Sequence, residues 1–180
     1  MIPGAEERNK IFLAQVPFDL VIGSIHLVDG VDIYEKIFYQ GHLQQDNYRR
    51  YFHTMAEMLR TNSFIDVLGH IDYIARYAPY EQPDIIYRDF QEEIDAVLRT
   101  AIDHNIILEI NTRRLSSPLG RKTLFPIYQR YKQLGGNYIT LGSDAHTADV
   151  IGRDFSLAGE LATVCDLQMV TFWQRQIQLI

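Results

Sequence analysis

Cysteine is almost missing from this sequence, with Cys165 its only example, so neither an internal disulfide nor a thiolate zinc site can form. Such a chain suits a reducing compartment. Long apolar runs are also absent, as is a charged-then-apolar leader at the amino terminus, so the expectation is a cytoplasmic protein without a membrane span. Positive charge is scarce: 17 Lys and Arg stand against 23 Asp and Glu, a net charge of −6. That balance argues against nucleic acid as a partner, since its binders present a basic patch or stripe. Internal repeats and low-complexity tracts are lacking too, which disfavours solenoids and disordered linkers.

What is present is a foldable chain of 180 residues, 47% hydrophobic and 12% aromatic, enough to bury a core as a single domain spanning residues 1–180. Short apolar runs alternate with amphipathic stretches, which is the α/β rhythm. The runs Asp19–Ser24, Ile65–Gly69, Ile106–Ile110, Tyr138–Gly142 and Gln168–Phe172 predict buried parallel strands. Helical spacing marks Tyr48–Arg60, Tyr87–His104 and Leu124–Leu134 as crossover helices. In the second, Phe90, Ile94, Val97, Leu98, Ala101 and Ile102 share one face. The irregular stretch Val28–Asp46 is long for a connection and is expected to be a functional loop over a site. Five strand–helix units are too few for an eight-stranded barrel.

The polar residues cluster where such folds build sites, at the carboxyl ends of the strands. Ser24 and His26 follow the first strand, and His70 and Asp72 the second. Glu109, Asn111 and Thr112 come at the third, Asp144 and His146 after the fourth. Carboxylates and neutral imidazoles suit zinc, iron or manganese when thiolates are unavailable. Asp144 and His146 are two apart, so in an extended segment their side chains would project on one side. The blander reading of that pair is a helix N-cap followed by an entry histidine. His26 and His70 each follow an apolar strand and a glycine. His53 and His104 have helical settings and read as structural, whereas His42 stays open. Glu109, if buried, needs a partner, and a supporting role behind the metal ligands fits it. Arg113, Arg114, Arg121 and Lys122 form a basic cluster suited to an anion, with a solvated basic loop as the alternative.

Taken in order, the segments G-S-I-H, G-H-I-D, E-I-N-T and G-S-D-A-H, with an I-P-G turn before the first helix, resemble the polymerase-and-histidinol-phosphatase (PHP) family, most closely its histidinol-phosphatase branch. The resemblance covers Ile2 to about Gly152. It implies a distorted (βα)7, TIM-like barrel with up to three divalent ions (Zn, Mn or Fe) at its mouth. On that pattern His26 and His70 match ligands of one ion, Asp144 of a second and His146 of a third, with Asp144 and His146 at the catalytic centre. The implied reaction is hydrolysis of L-histidinol phosphate to L-histidinol and phosphate, a step of histidine biosynthesis, with Arg113 or Arg114 holding the phosphate. Another phosphate monoester, or a catalytically incomplete fragment, are the alternatives. Relatives carry an amino-terminal H-x-H pair, a further histidine and a bridging glutamate before the segment that this chain matches. The 180 residues contain no H-x-H. The expectation is therefore the carboxy-terminal part of one such domain, lacking the first strands, poorly active alone and prone to self-association through an exposed sheet edge. The substrate loop T-R-R-L-S-S departs from the family's commoner Ser-Gly-Leu-Arg type. No D-x-D-x-T motif of a haloacid-dehalogenase phosphatase occurs.

Overall fold

A computed structural model describes all residues, Met1–Ile180. Helix α1 (Glu6–Leu13) opens the chain, followed by β1 (Ile22–Gly23), the hairpin β2 (Leu27–Val28) and β3 (Val31–Asp32), and helix α2 (Gln44–Thr61). Next come β4 (Val67–Leu68), the short α3 (Ile74–Tyr77), α4 (Gln91–Asp103), β5 (Ile107–Asn111) and α5 (Pro118–Gln133). The chain ends with β6 (Tyr138–Gly142), α6 (Phe155–Val164), β7 (Gln168–Trp173) and β8 (Gln176–Leu179).

One six-stranded sheet has the order β1-β4-β5-β6-β7-β8. The first five strands are parallel, and β8 turns back antiparallel on β7. Because each parallel strand lies beside the one before it, right-handed crossovers through α2, α4, α5 and α6 put the four helices on one face. A doubly wound sheet, with helices on both faces, is thereby excluded. The helix-covered face holds the main core of 36 buried residues, including Tyr48, Phe52, Leu59, Ile94, Leu98, Ile127 and Tyr128 against Leu68, Leu108, Ile110 and Ile139. On the other face Val67, Ile107 and Val170 form a small separate cluster with Leu20 and Phe172.

The sheet is strongly curled. At its far end the turn between β7 and β8 returns to the residues preceding β1 and β4. The Gln174 N–H donates to Asp19 Oδ1 at 2.9 Å, the Arg175 N–H to the Asp19 carbonyl at 3.0 Å, and Arg175 Nε pairs with Asp66 at 2.5 Å.

The five expected strands all occur, some shorter. Residues 19–24 supply only β1, and 65–69 only β4. The stretch Val28–Asp46 is not irregular, although it does lie against the first strand end, where the Ile33 N–H donates to the His26 carbonyl at 2.9 Å. It contains the β2/β3 hairpin, a helical turn at Lys36–Tyr39 and the start of α2, and it buries Val28, Ile33, Phe38 and Tyr39. Apolar side chains spaced without helical or strand period gave no sign of that packing. Arg121 and Lys122 lie in the first turns of α5 and not in a loop, because Ser117 caps that helix by accepting the Gly120 N–H and Pro118 occupies its first position.

Candidate metal centre

His26 follows β1 and His70 follows β4, neighbouring strands in register. Their side chains meet: His26 Nε2 and His70 Nε2 are 3.3 Å apart, and the rings stack at 5.1 Å between centroids. Two nitrogens bound to a tetrahedral zinc at about 2.0–2.1 Å would be separated by about 3.3 Å. The pair thus fits two corners of such a shell. Tyr73 walls it, with its ring 4.5 Å from His26 and 4.9 Å from His70.

Desolvation favours the neutral, metal-binding form of both rings, of buried His70 more than of the more exposed His26. Desolvation lowers the His26 pKa, helped by the amino terminus. It brings His70 down to about 4, with the Arg76 charge as the next cause. His70 Nδ1 is buried without a hydrogen-bond partner, so the ring's orientation rests on its backbone and on Nε2.

The strand ends at β5 and β6 add a connected polar network. Glu109 is 6% exposed, and its Oε2 accepts the His70 N–H at 2.8 Å and Asn111 Nδ2 at 2.9 Å. Asn111 Oδ1 in turn accepts Arg76 Nη2 at 2.8 Å and the Arg113 N–H at 3.1 Å. Arg76 also forms an ion pair with Asp144. Burial acts to raise the Asp144 pKa, but the hydrogen bond and charge of Arg76 outweigh it and hold the carboxyl below its ordinary value. Burial raises the Glu109 pKa despite its two donors.

The expectation that Asp144 and His146 project together fails on backbone geometry. Asp144 has φ of 49°, in the left-handed region, so the segment is not extended. The Asp144 carboxylate turns to Arg76, while exposed His146 folds back, its Nδ1 2.8 Å from the Asp144 carbonyl. No three His, Cys, Asp or Glu side chains converge to hold an ion. His26 and His70 are brought together, Asp144 lies near enough for its charge to act on both, and His146 is held against the Asp144 backbone without closing the shell.

The two arginines expected to bind phosphate part company. Arg114 is committed to Asp72 at 3.1 Å and to Asp84, with only 14% of its side chain exposed. Arg113 instead lines a cavity of about 480 Å³ with Thr112, Ser116, Ser143, His146 and Arg153. Sequence reading missed Arg76 and Arg153. A cation inside the apolar stretch I-D-Y-I-A-R-Y was the available signal for the first, since burial there demands a carboxylate.

Comparison with known proteins follows the same lines. The family model described as "PHP domain" matches residues 1–113. A probable histidinol-phosphatase of Clostridium acetobutylicum is 44% identical over 170 residues, 94% of this chain and 67% of the relative. The histidinol-phosphatase of Lactococcus lactis is 32% identical over 138 residues, 76% of this chain and 51% of the relative. The crystal structure of histidinol phosphate phosphatase from that organism, complexed with zinc, L-histidinol and phosphate, superposes with a TM-score of 0.93 at 27% identity, covering 99% of this chain and 68% of the other. The chain thus spans between half and about two thirds of the length of these relatives.

Proposed function

The chain belongs to the PHP domain family, and on that premise we propose that it serves as a histidinol-phosphatase, hydrolysing L-histidinol phosphate to L-histidinol and phosphate with the help of divalent metal. The observation that carries this reading is the His26–His70 pair, two neutral imidazoles facing each other at 3.3 Å at the carboxyl ends of adjacent parallel strands. The similarity to proteins named for that reaction supports the substrate. Zinc is supported by the ions bound in the L. lactis structure and by the nitrogen and oxygen donors here.

In this reading Nε2 of His26 and of His70 hold one ion, with Asp144 and His146 contributing to others. When bound, such ions lower the pKa of a coordinated water and neutralise phosphate oxygens. Arg113, opening onto the cavity beside His146, orients the phosphate, a task suited to the guanidinium fork. Arg76 keeps Asp144 ionised and oriented, and the Tyr73 ring packs against both imidazoles and holds them in place. Arg114 acts instead as a strut, tying Asp72 of the G-H-I-D turn to Asp84. The curled sheet we take as an arc of the family's distorted (βα)7 barrel, supported by one-sided helices and by the return of the β7–β8 turn to Asp19 and Asp66. Residues 1–180 would then form part of a single phosphatase domain.

A second reading, binding without efficient turnover, is favoured by the lack of any three converging ligands. Phosphate release from L-histidinol phosphate and from a panel of other monoesters, with added Zn²⁺ or Mn²⁺, separates the two. Preferential hydrolysis of L-histidinol phosphate is expected, at a rate depressed by the open ligand shell. Binding of the substrate with no release supports the second reading. Faster hydrolysis of another monoester replaces the substrate, and neither binding nor hydrolysis overturns both readings.

A further inference from the structure

We propose that Glu109 is a positioning residue for the two-histidine corner, its buried carboxylate fixing the backbone of His70 and, through Asn111, the arginine that holds Asp144. The inference rests on the reading of His26 and His70 as metal ligands, and it concerns a carboxylate whose hydrogen bonds go to the His70 backbone and Asn111 and not to an imidazole nitrogen.

Three observations lead to it. His70 has φ of 27°, on the left-handed side that non-glycine residues rarely adopt, a conformation that surrounding structure must hold in place. Its backbone N–H donates to Glu109 Oε2 at 2.8 Å. Since His70 Nδ1 has no partner, this backbone anchor does the work that a hydrogen bond to the far ring nitrogen does in many metal sites.

The second observation is how the same oxygen reads out the amide of Asn111. By accepting Nδ2 at 2.9 Å it leaves Oδ1 facing Arg76 and the Arg113 N–H. Were the amide reversed, an NH₂ would face the guanidinium. One carboxylate thus orders the ligand turn after β4, the amide at the end of β5 and the Arg76–Asp144 pair at the end of β6.

Third, the fold makes room for it. A Cβ on Gly142 would overlap Glu109 Oε1 and Cδ, and one on Gly69 would fall 3.7 Å from Oε2 and 2.6 Å from Ser24 Oγ. The glycine of G-S-D-A-H is therefore an absence shaped around this carboxylate. Burying a carboxylate costs free energy that an apolar residue would not, so a role in fold stability alone leaves its choice unexplained.

The test uses the 180-residue chain with wild-type, E109Q, E109A and G142A sequences, folding of each checked by circular dichroism. Glutamine keeps an acceptor oxygen for both N–H groups, alanine removes it, and G142A displaces the carboxylate without altering it. The readouts are amide hydrogen exchange at His70 in the metal-free protein, followed by NMR, and Co²⁺ affinity, followed by visible absorption. We expect slow His70 exchange and close to wild-type Co²⁺ affinity in E109Q. In E109A and G142A, exchange should speed up and Co²⁺ affinity fall about 10–100-fold, the range for a lost outer partner of a ligand. Wild-type affinity and exchange in a folded E109A or G142A overturns the proposal. So does an E109Q as weak as E109A, because the negative charge and not the geometry would then matter. If the wild-type chain itself fails to bind Co²⁺, the metal reading falls, while His70 exchange across the variants still decides whether Glu109 positions that turn.

Discussion

At the scale of single residues, the question is whether His26 and His70 act as one unit. Nitrogens 3.3 Å apart can serve the same ion, and ligands of one ion are coupled. Removing either should cost more than the roughly 10–100-fold that losing a supporting partner costs, and removing the second should cost little further. Zn²⁺ calorimetry on H26A, H70A and H26A/H70A measures this directly; additive losses would place the two rings on separate ions. Both residues were legible in the sequence because an apolar strand and a glycine lead to each. Asp144 and His146 were legible as polar residues at a strand end, but their mutual geometry was not. It depends on the left-handed backbone at Asp144, which two-residue spacing does not encode. Arg114 illustrates the opposite failure. Its composition and place matched a phosphate ligand, yet Asp72 and Asp84, distant in sequence, claim it.

At the scale of elements, the amphipathic patterns of α2 and α4 and the five apolar runs carried most of the fold, since each periodicity reports one buried face. The join between α4 and α5 was hidden, because it is polar. Asp95 on α4 accepts hydrogen bonds from Arg130 of α5, at 3.0 and 2.6 Å, and from the Tyr87 hydroxyl at 2.8 Å. Burial pushes the Asp95 pKa up, but these partners prevail and hold it below its ordinary value of 3.8. A carboxylate with a lowered folded pKa stabilises the fold above its unfolded pKa, and that contribution is lost as pH falls from 3.8 through the folded value. Thermal unfolding at pH 7 should therefore show D95N about 5 °C below wild type, with the gap closing below pH 3.8. An unchanged gap across that window would mean that packing, and not ionisation, joins the helices.

At the scale of the whole molecule, the sheet has two open edges and one face without helices. The lone cluster of Val67, Ile107 and Val170 covers little of that face, and Ile22, Ile177 and Leu179 are exposed at 49%, 40% and 69%. The register pairs Phe172 with Ile177 and Val170 with Leu179, so β8 turns these apolar side chains to the same side as the small cluster. An edge strand with unpaired backbone groups and a continuous apolar stripe is a template for pairing with another chain, and the net charge of −6 opposes association only weakly at physiological salt. The protein should therefore self-associate with rising concentration. Lysines at 177 and 179 place charge on the exposed stripe without touching the main core, as natural edge strands do. Sedimentation of I177K/L179K should show a shift toward monomer, with a melting temperature close to wild type. Association unaltered by the two lysines would move the contact to the β1 edge, where Ile22 and the apolar side chains of α1 lie open. A wild-type chain that stays monomeric at every concentration would show that the curl of the sheet, held by Asp19 and Asp66 against the β7–β8 turn, is enough to protect both edges.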